Sequence, residues 1–354
     1  MDAVMIMGLS TINGIGRRKI MRLLSLVNHH KKLISLDYDA VQKILSRELW
    51  QKVRSLSWDR FAEQYEKSPY AIITLEDKNY PSQLRNTMDP PLLLYVHGEI
   101  PMGNAIAIVG TRKASAYGKK QARIFAEELS SRGIVIISGL ATGIDAAAHN
   151  GAVTRGRTVA VLGSGIERIY PSHHRYLANT ISENGACISE YAPQAPALAH
   201  HFPERNRIVA GLVAGIIVIE APQKSGALIT ANIGVENGRD IFVVPGMIGD
   251  DQYLGGHKLI QSGAKLVTSV EDVLEEYPQW QMTNDVQQIH LSKIQYKIWN
   301  VLSDTPQSID DISNTTQLPI DKVMSELMEM RIEGIVVCSH FHYYRSRGIV
   351  CCDN

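Results

Sequence analysis

Four places in the chain set glycine or hydroxyl residues directly after an apolar run. They are Gly110-Thr111-Arg112, Ser138-Gly139 through Gly143, Gly163-Ser164-Gly165, and Lys224-Ser225-Gly226, which opens a stretch carrying Thr230. Glycine lets backbone N–H groups come close to an anion, and the start of a helix adds a favourable dipole. Arginine adds a forked, permanently charged donor set that matches phosphate oxygens. The chemistry indicated is phosphate binding. A single glycine pair is weak evidence, because glycine is also the usual residue of a tight strand-to-helix turn. Several such loops interleaved with Arg112, Arg205, Arg207 and Lys224 describe a groove lined by phosphate ligands, not a pocket for one mononucleotide.

Other chemistries find little support. No G-x-x-x-x-G-K-[ST] segment is present, which argues against a P-loop ATPase, and no G-x-S-x-G segment marks a nucleophile elbow. His173-His174 and His200-His201 invite a metal reading, but adjacent residues on a helix do not share a face and no acidic or cysteine cluster accompanies them. No metal or other cofactor is expected. Cys187, Cys338, Cys351 and Cys352 form no C-x-x-C pair and no disulfide framework.

The loops must be carried by the elements around them. Apolar, β-branched runs at Ala105–Val109, Ile134–Ile137, Thr158–Leu162, Ala186–Ser189, Gly215–Ile219, Asp240–Val244 and Lys265–Val267 alternate with helical stretches. Continuous apolar runs indicate strands buried on both faces. Strand–helix repetition predicts an α/β fold with a doubly wound, Rossmann-like parallel sheet, and such sheets bind ligands beyond the carboxyl ends of their strands. Ahead of it, residues 1–70 read as a helical domain with a glycine-punctuated turn at Gly14-Ile15-Gly16 and an amphipathic stretch over Ala40–Tyr65. Residues 66–103 are proline-rich and read as a connector with one short strand at Leu92–Val96. The binding core is placed at 71–277 and a polar linker at 278–290. Residues 291–354 follow the order of a winged helix, with three short helices and a β-ribbon over Gly334–Val337 and Phe341–Arg345.

Lys+Arg and Asp+Glu both number 36, so the chain lacks the overall positive field of a DNA-coating protein. By segment the net charge is +3 over 1–104, +5 over 105–230, −6 over 231–290 and −2 over 291–354. A polyanion should therefore dock on the second segment or the first. No apolar run has the ~20 residues of a membrane span, and the first ten residues do not read as a secretory signal. The expected setting is the cytoplasm.

The ordered motifs then add up to more than chemistry. Gly110-Thr111-Arg112, Ser138 through Asp145, Leu162-Gly163-Ser164-Gly165 running on to Tyr170-Pro171, His201-Phe202-Pro203-Glu204-Arg205-Asn206-Arg207, Lys224 through Ala231, Val244-Pro245-Gly246 and Gly255 through Ile260 together resemble the bacterial DNA-processing protein A (DprA/Smf) family. The resemblance covers about 75–277 closely and matches the flanks in type. It implies a sterile-alpha-motif-like or helix-hairpin-helix-like N-terminal domain and binding of single-stranded DNA along the core. It also implies delivery of that DNA to the RecA recombinase during natural transformation, dimerisation through the core, and no catalytic turnover. Carried over residue by residue, it makes Arg112 the principal phosphate ligand. Gly110, Gly139, Gly143, Ser164 and Gly165 shape the loops, and Arg205, Asn206, Arg207, Lys224, Ser225, Gly226 and Thr230 complete the site. Relatives often place a lysine where this chain has Ser172, and Arg175 or a protonated His173 or His174 is a candidate substitute.

Plainer readings stand beside these. Arg205 and Arg207 could form structural ion pairs with Glu204 or Glu220, Asp145 suits a helix start without any ligand role, and Phe202 could be core or a platform for a base. One rival function is a nucleotide N-glycosidic hydrolase, but Gln223–Thr230 lacks the paired glycines and the glutamate of that chemistry. Another is a scaffold that binds no DNA. Part of the apolar set in 231–290, which includes Met247, Ile248 and Tyr253, is expected to form a two-fold patch. The third winged-helix helix, Ile320–Glu333, is net −2, which points to an accessory module and not a primary DNA surface.

Overall fold

The computed structural model describes residues 1–280, 287–289, 291–302, 307–333, 335–339, 342–345 and 349–351. It divides into two compact units, Met1–Glu276 and Tyr277–Asn354.

In the first unit the strands are β1 (Ala71–Thr74), β2 (Leu93–Gly98), β3 (Ala105–Gly110), β4 (Val135–Ser138), β5 (Thr158–Val161), β6 (Ala186–Ser189), β7 (Gly215–Ile219), β8 (Asp240–Val243) and β9 (Lys265–Leu266). They form one sheet in the order β1-β2-β6-β5-β4-β3-β7-β8-β9. The strands β3 to β9 are parallel to one another, and β4, β5, β6 and β7 are buried throughout. That burial on both faces is why these segments read as unbroken apolar runs. The chain leaves β3 for β4, β5 and β6 on one side, then crosses to β7 on the other. The switch point, where such sheets open a crevice for a ligand, therefore lies between β3 and β7.

The sheet is mixed, not purely parallel. Residues 66–103 hold two strands and the short helix Ser82–Arg85, where the sequence reading gives one strand. β2 pairs antiparallel with both β1 and β6. β1 escapes a pattern-based reading because it is a four-residue edge strand, partly exposed over three of its residues. The prolines are not strand breakers here: the Tyr80 hydroxyl donates to the Pro91 carbonyl at 2.8 Å and Asp77 accepts from Thr74 N at 2.6 Å, folding them into the link between the strands.

The N-terminal region buries Met5, Leu9, Ile20, Leu23, Leu33, Leu45 and Val53 in a core continuous with Leu92, Tyr95 and Leu162 at the sheet and Ile181 on the helix Arg175–Glu183. Gly8 is required by close approach, since a Cβ there would stand 2.7 Å from the Trp58 ring. The expected amphipathic stretch is three helices, Tyr38–Val41, Arg47–Arg54 and Trp58–Glu66. Ser46 interrupts it by capping the second, accepting from Leu49 N at 3.3 Å.

The second unit has helices Lys293–Val301, Ile309–Thr316 and Ile320–Ile332 around Ile298, Leu302, Ile312, Val323, Leu327 and Met330. Its strands are β10 (Gln287–Ile289), β11 (Gln307–Ser308), β12 (Val336–Ser339), β13 (His342–Arg345) and β14 (Ile349–Cys351). β11, β13 and β12 form an antiparallel sheet, and β10 pairs parallel with β14. In the third helix the buried stripe is Val323–Leu327–Met330, spaced as one helical face requires. Of the apolar set Val323, Met324, Leu327, Met328 and Ile332, whose helical spacing reads as mostly packing inward, Met324 and Met328 are exposed. The Ile332 side chain, and Gly334, Phe341 and Arg347, lie outside the described residues.

Candidate nucleic-acid interface

Beyond the carboxyl ends of β3, β4 and β7 lies a cleft of about 720 Å³. Its walls bring together Gly110, Arg112, Gly139, Arg205, Asn206, Lys224, Ser225, Gly226 and Thr230 of the residues expected from the sequence. Arg175 sits in an adjoining depression of about 570 Å³ that shares Tyr170 and Ala197 with the cleft. Gly143, Ser164, Gly165 and Arg207 are not in the cleft wall.

Arg112 is exposed, and its side chain makes no ion pair or hydrogen bond with another described residue. Its guanidinium lies 4.9 Å from the centre of the Phe202 ring, and Tyr170 meets that ring from 5.6 Å. Cation–π contact pre-orients the charge without neutralising it. The loop carrying Arg112 is anchored through Glu220. The Glu220 carbonyl accepts from Thr111 N at 2.8 Å, and its carboxylate accepts from Ser115 N at 2.8 Å, from the Ser115 hydroxyl, and from Tyr253 OH at 3.0 Å. Ser115 then caps the helix Ala116–Ser131 by accepting from Gly118 N. Glu220 is buried and adopts φ +50°, so a buried acid satisfied by neutral donors holds the loop in shape.

Arg205 behaves differently. It is 3% exposed, and it donates to the carbonyls of Gly139 and Val161 and, from Nε, to Asn206 Oδ1 at 3.2 Å. It thereby ties the ends of β4 and β5 to its own helix, His201–Gly211. Burial brings its guanidinium down to about 10, against the opposing charge of Asp145, so it remains a cation at neutral pH. Asp145 accepts from Gly139 N at 3.1 Å and Ala141 N at 3.4 Å, while burial raises its pKa against the pull of Arg205. The sequence suggests a helix-start role for Asp145; the structure adds the fixing of the Gly139 loop. Gly139 is demanded by Arg205, whose guanidinium nitrogens would lie 2.3 Å from a Cβ.

Arg207 faces away from the cleft, because residues two apart on a helix do not share a face. It pairs with Glu190 and donates to the Asp89 carbonyl at 2.6 Å. The partners expected from the sequence are engaged elsewhere: Glu204 accepts from Tyr191 OH at 2.9 Å, and Glu220 holds Ser115 and Tyr253. Gly143, with φ +88°, starts the helix Ile144–Ala152 and would bring a Cβ 2.3 Å from the Thr111 carbonyl oxygen. Ser164 is buried, its carbonyl accepting from the Ser189 hydroxyl, and a Cβ on Gly165 would lie 2.1 Å from the Ala192 carbonyl oxygen. These three residues shape the chain behind the cleft.

Gly226 is the exception among the glycines of the wall. It is exposed, and a Cβ there would meet nothing within 4 Å. It opens the helix Gly226–Glu236, capped by Ser225, with exposed Lys224 just ahead. No protein group needs this glycine, so the space it leaves is available to a ligand. Gly226→Val should therefore keep wild-type thermal stability within about 1 kcal/mol, the range of an exposed substitution with a modest helix-propensity effect. It should weaken oligo-dT binding about tenfold or more. Unaltered affinity would place the ligand elsewhere.

The paired histidines take part in local contacts. His174 Nδ1 lies 2.8 Å from the Leu140 carbonyl, and His201 stacks on Tyr191 at 3.8 Å. Among the described residues, Asp2, His29 and His30 group three possible metal-ligand atoms, but Asp2 already accepts from His30 N at 2.6 Å and from Met5 N at 3.0 Å, capping the first helix. His149 is buried with Nδ1 2.8 Å from Thr158 Oγ1, and burial holds its pKa down to about 3.

Known proteins of one family resemble this chain in sequence and fold. The family model described as DNA recombination-mediator protein A fits residues 71–278, more than half of the chain, and the DprA winged helix domain fits 285–339. The chain belongs to the DprA/Smf family. The Smf protein of Escherichia coli is 36% identical over 296 residues, covering 80% of this chain and 79% of the relative. DprA of Bacillus subtilis is 40% identical over 224 residues, covering 62% of this chain and 75% of the relative. The crystal structure of DprA from Streptococcus pneumoniae superposes with TM-score 0.66 at 36% identity, covering 74% of this chain and 94% of that one. A Helicobacter pylori DprA structure, described for its single-stranded DNA binding mode, superposes with TM-score 0.54 at 27% identity, covering 60% and 96%. DprA/Smf membership makes this a DNA-processing protein with a winged-helix unit. No helix among its described residues is long and apolar enough to cross a membrane.

Proposed function

We propose that the chain binds single-stranded DNA through the sugar–phosphate backbone along this cleft, with little sequence preference. In this reading it works in the cytoplasm, in DNA processing during natural transformation, as a homodimer that delivers the strand to RecA. The observation that carries it is Arg112, an exposed cation with no acidic partner among the described residues, seated on Phe202 in the same cleft wall as the open helix start at Gly226. Phosphate ligands beside aromatic rings are what a single strand requires, since its bases have faces to stack. Asp145 is the one carboxylate among the described residues of the wall, and it is occupied by two backbone N–H groups, which favours binding over hydrolysis. Met247 and Ile248, exposed by 76% and 97%, supply apolar surface in the acidic segment for self-association.

A salt titration tests the backbone reading. Each phosphate contact contributes about 0.7 to the log–log slope for single strands, so oligo-dT affinity should fall with a slope of a few units. Salt-insensitive binding, or no binding at low salt, would contradict it.

A further inference from the structure

A second basic surface lies outside the cleft. The helix Arg17–Leu26 opens at Gly14-Ile15-Gly16, where Gly14 has φ +95°. Beside it is a depression of about 920 Å³ whose walls include Arg18, Lys19, Arg22 and Met88. Arg18 and Arg22 are exposed and one helical turn apart, and neither side chain makes an ion pair or hydrogen bond with another described residue. Lys19 donates to the Gly14 carbonyl at 2.9 Å, which brings its charge to the mouth of the turn. Asp89, the one carboxylate among the described residues of the wall, is held by Arg17 in an ion pair, so the remaining rim is positive.

The two basic surfaces differ in one chemical respect. Phe202 and Tyr170 line the cleft, whereas no aromatic side chain among the described residues lines this depression. A single strand exposes base faces that aromatic rings can stack upon, while a duplex has already stacked its bases and offers its backbone. Cations without rings fit the second.

We propose that Arg18, Lys19 and Arg22 form a second DNA-binding site that takes the phosphate backbone of duplex DNA. The protein then holds the point where a duplex meets a single strand. The surface is tied to the cleft through charge. Arg17 pairs with Asp89, whose carbonyl accepts from Arg207, and Arg207 pairs with Glu190. Arg207 lies on the helix His201–Gly211, which also places Phe202, Arg205 and Asn206 in the cleft. Asp89 thus links the helix of this surface to the helix of the cleft within one compact unit.

The test uses the full chain and three fluorescent ligands: oligo-dT, a blunt duplex, and a duplex with an oligo-dT tail. The variant R18A/K19A/R22A alters only side chains away from the cleft, and circular dichroism checks its fold. Its affinity for the blunt and tailed duplexes should drop about tenfold or more. Its duplex salt slope should decrease by about 2–3 units, ~0.9 for each contact removed. Its oligo-dT affinity should stay within about twofold. Unchanged duplex affinity would overturn the proposal, and so would an equal loss on oligo-dT and tailed duplex, which would make these residues part of the single-strand track. Failure of the wild-type chain to bind oligo-dT would strike at the cleft reading alone, because the blunt duplex reports on this surface separately.

Discussion

Arg205→Ala is expected to destabilise the first unit by about 3–5 kcal/mol, the usual cost of removing one partner from a buried charge pair. Three losses combine. The carbonyls of Gly139 and Val161 lose their donor, Asp145 is left as an uncompensated buried acid, and the ends of β4 and β5 are no longer tied to the helix His201–Gly211. Arg205→Lys keeps a charge but not the fork, so it should fall between wild type and Arg205→Ala. Adding Asp145→Asn to Arg205→Ala should recover part of the stability, since the stranded carboxylate is then gone. Chemical denaturation read by far-ultraviolet circular dichroism checks the series. Wild-type stability in Arg205→Ala would show that the buried cation holds nothing together. DNA binding should fail in this variant too, as a consequence of the collapsed loop.

Arg112→Ala separates recognition from architecture. Its side chain makes no hydrogen bond with another described residue, so the melting temperature should barely move. Oligo-dT affinity should drop about tenfold or more, because a charge-assisted phosphate contact is worth ~1.5–3 kcal/mol. Arg112→Lys should restore only part of it, since the ammonium keeps the charge but loses the planar fork and much of the stacking on Phe202. Native stability together with undiminished binding would remove Arg112 from the site.

The contrast between the two arginines shows where the sequence stops being informative. Arg112 follows a strand-end glycine and Arg205 stands in the Glu204–Arg207 segment, and both read as phosphate ligands. Their fates are set by direction: Arg112 follows β3 into a loop held open by Glu220, while Arg205 points from a helix into the sheet ends. Local spacing cannot report that, because the carbonyls of Gly139 and Val161 reach Arg205 only through the tertiary fold. The buried strands were legible, since burial on both faces leaves an unbroken apolar signature from β3 to β8. β1 was not, since a short edge strand carries little pattern. Gly226 and Gly139 look alike as letters, yet one faces open space and the other a guanidinium. Glu220, an acid immediately after the apolar run of β7, was the one sequence signal of a loop anchor that could have been taken further.

The place of β2 in the sheet has a consequence for the time course of folding. Val96 on β2 pairs with Ile188 on β6, and β2 has no other partner on that side. On a growing chain, β1 and β2 emerge as a hairpin whose second edge stays bare while β3, β4 and β5 are still being synthesised. At ~5–20 residues per second that interval lasts several seconds. Closing it requires a contact between distant parts of the chain, the kind that slows folding. An exposed strand edge is also a template for pairing with another chain. The nascent protein is therefore most open to misassociation between the emergence of β2 and that of β6, and the helices packed over Tyr95 shield one face of the hairpin but not its edge.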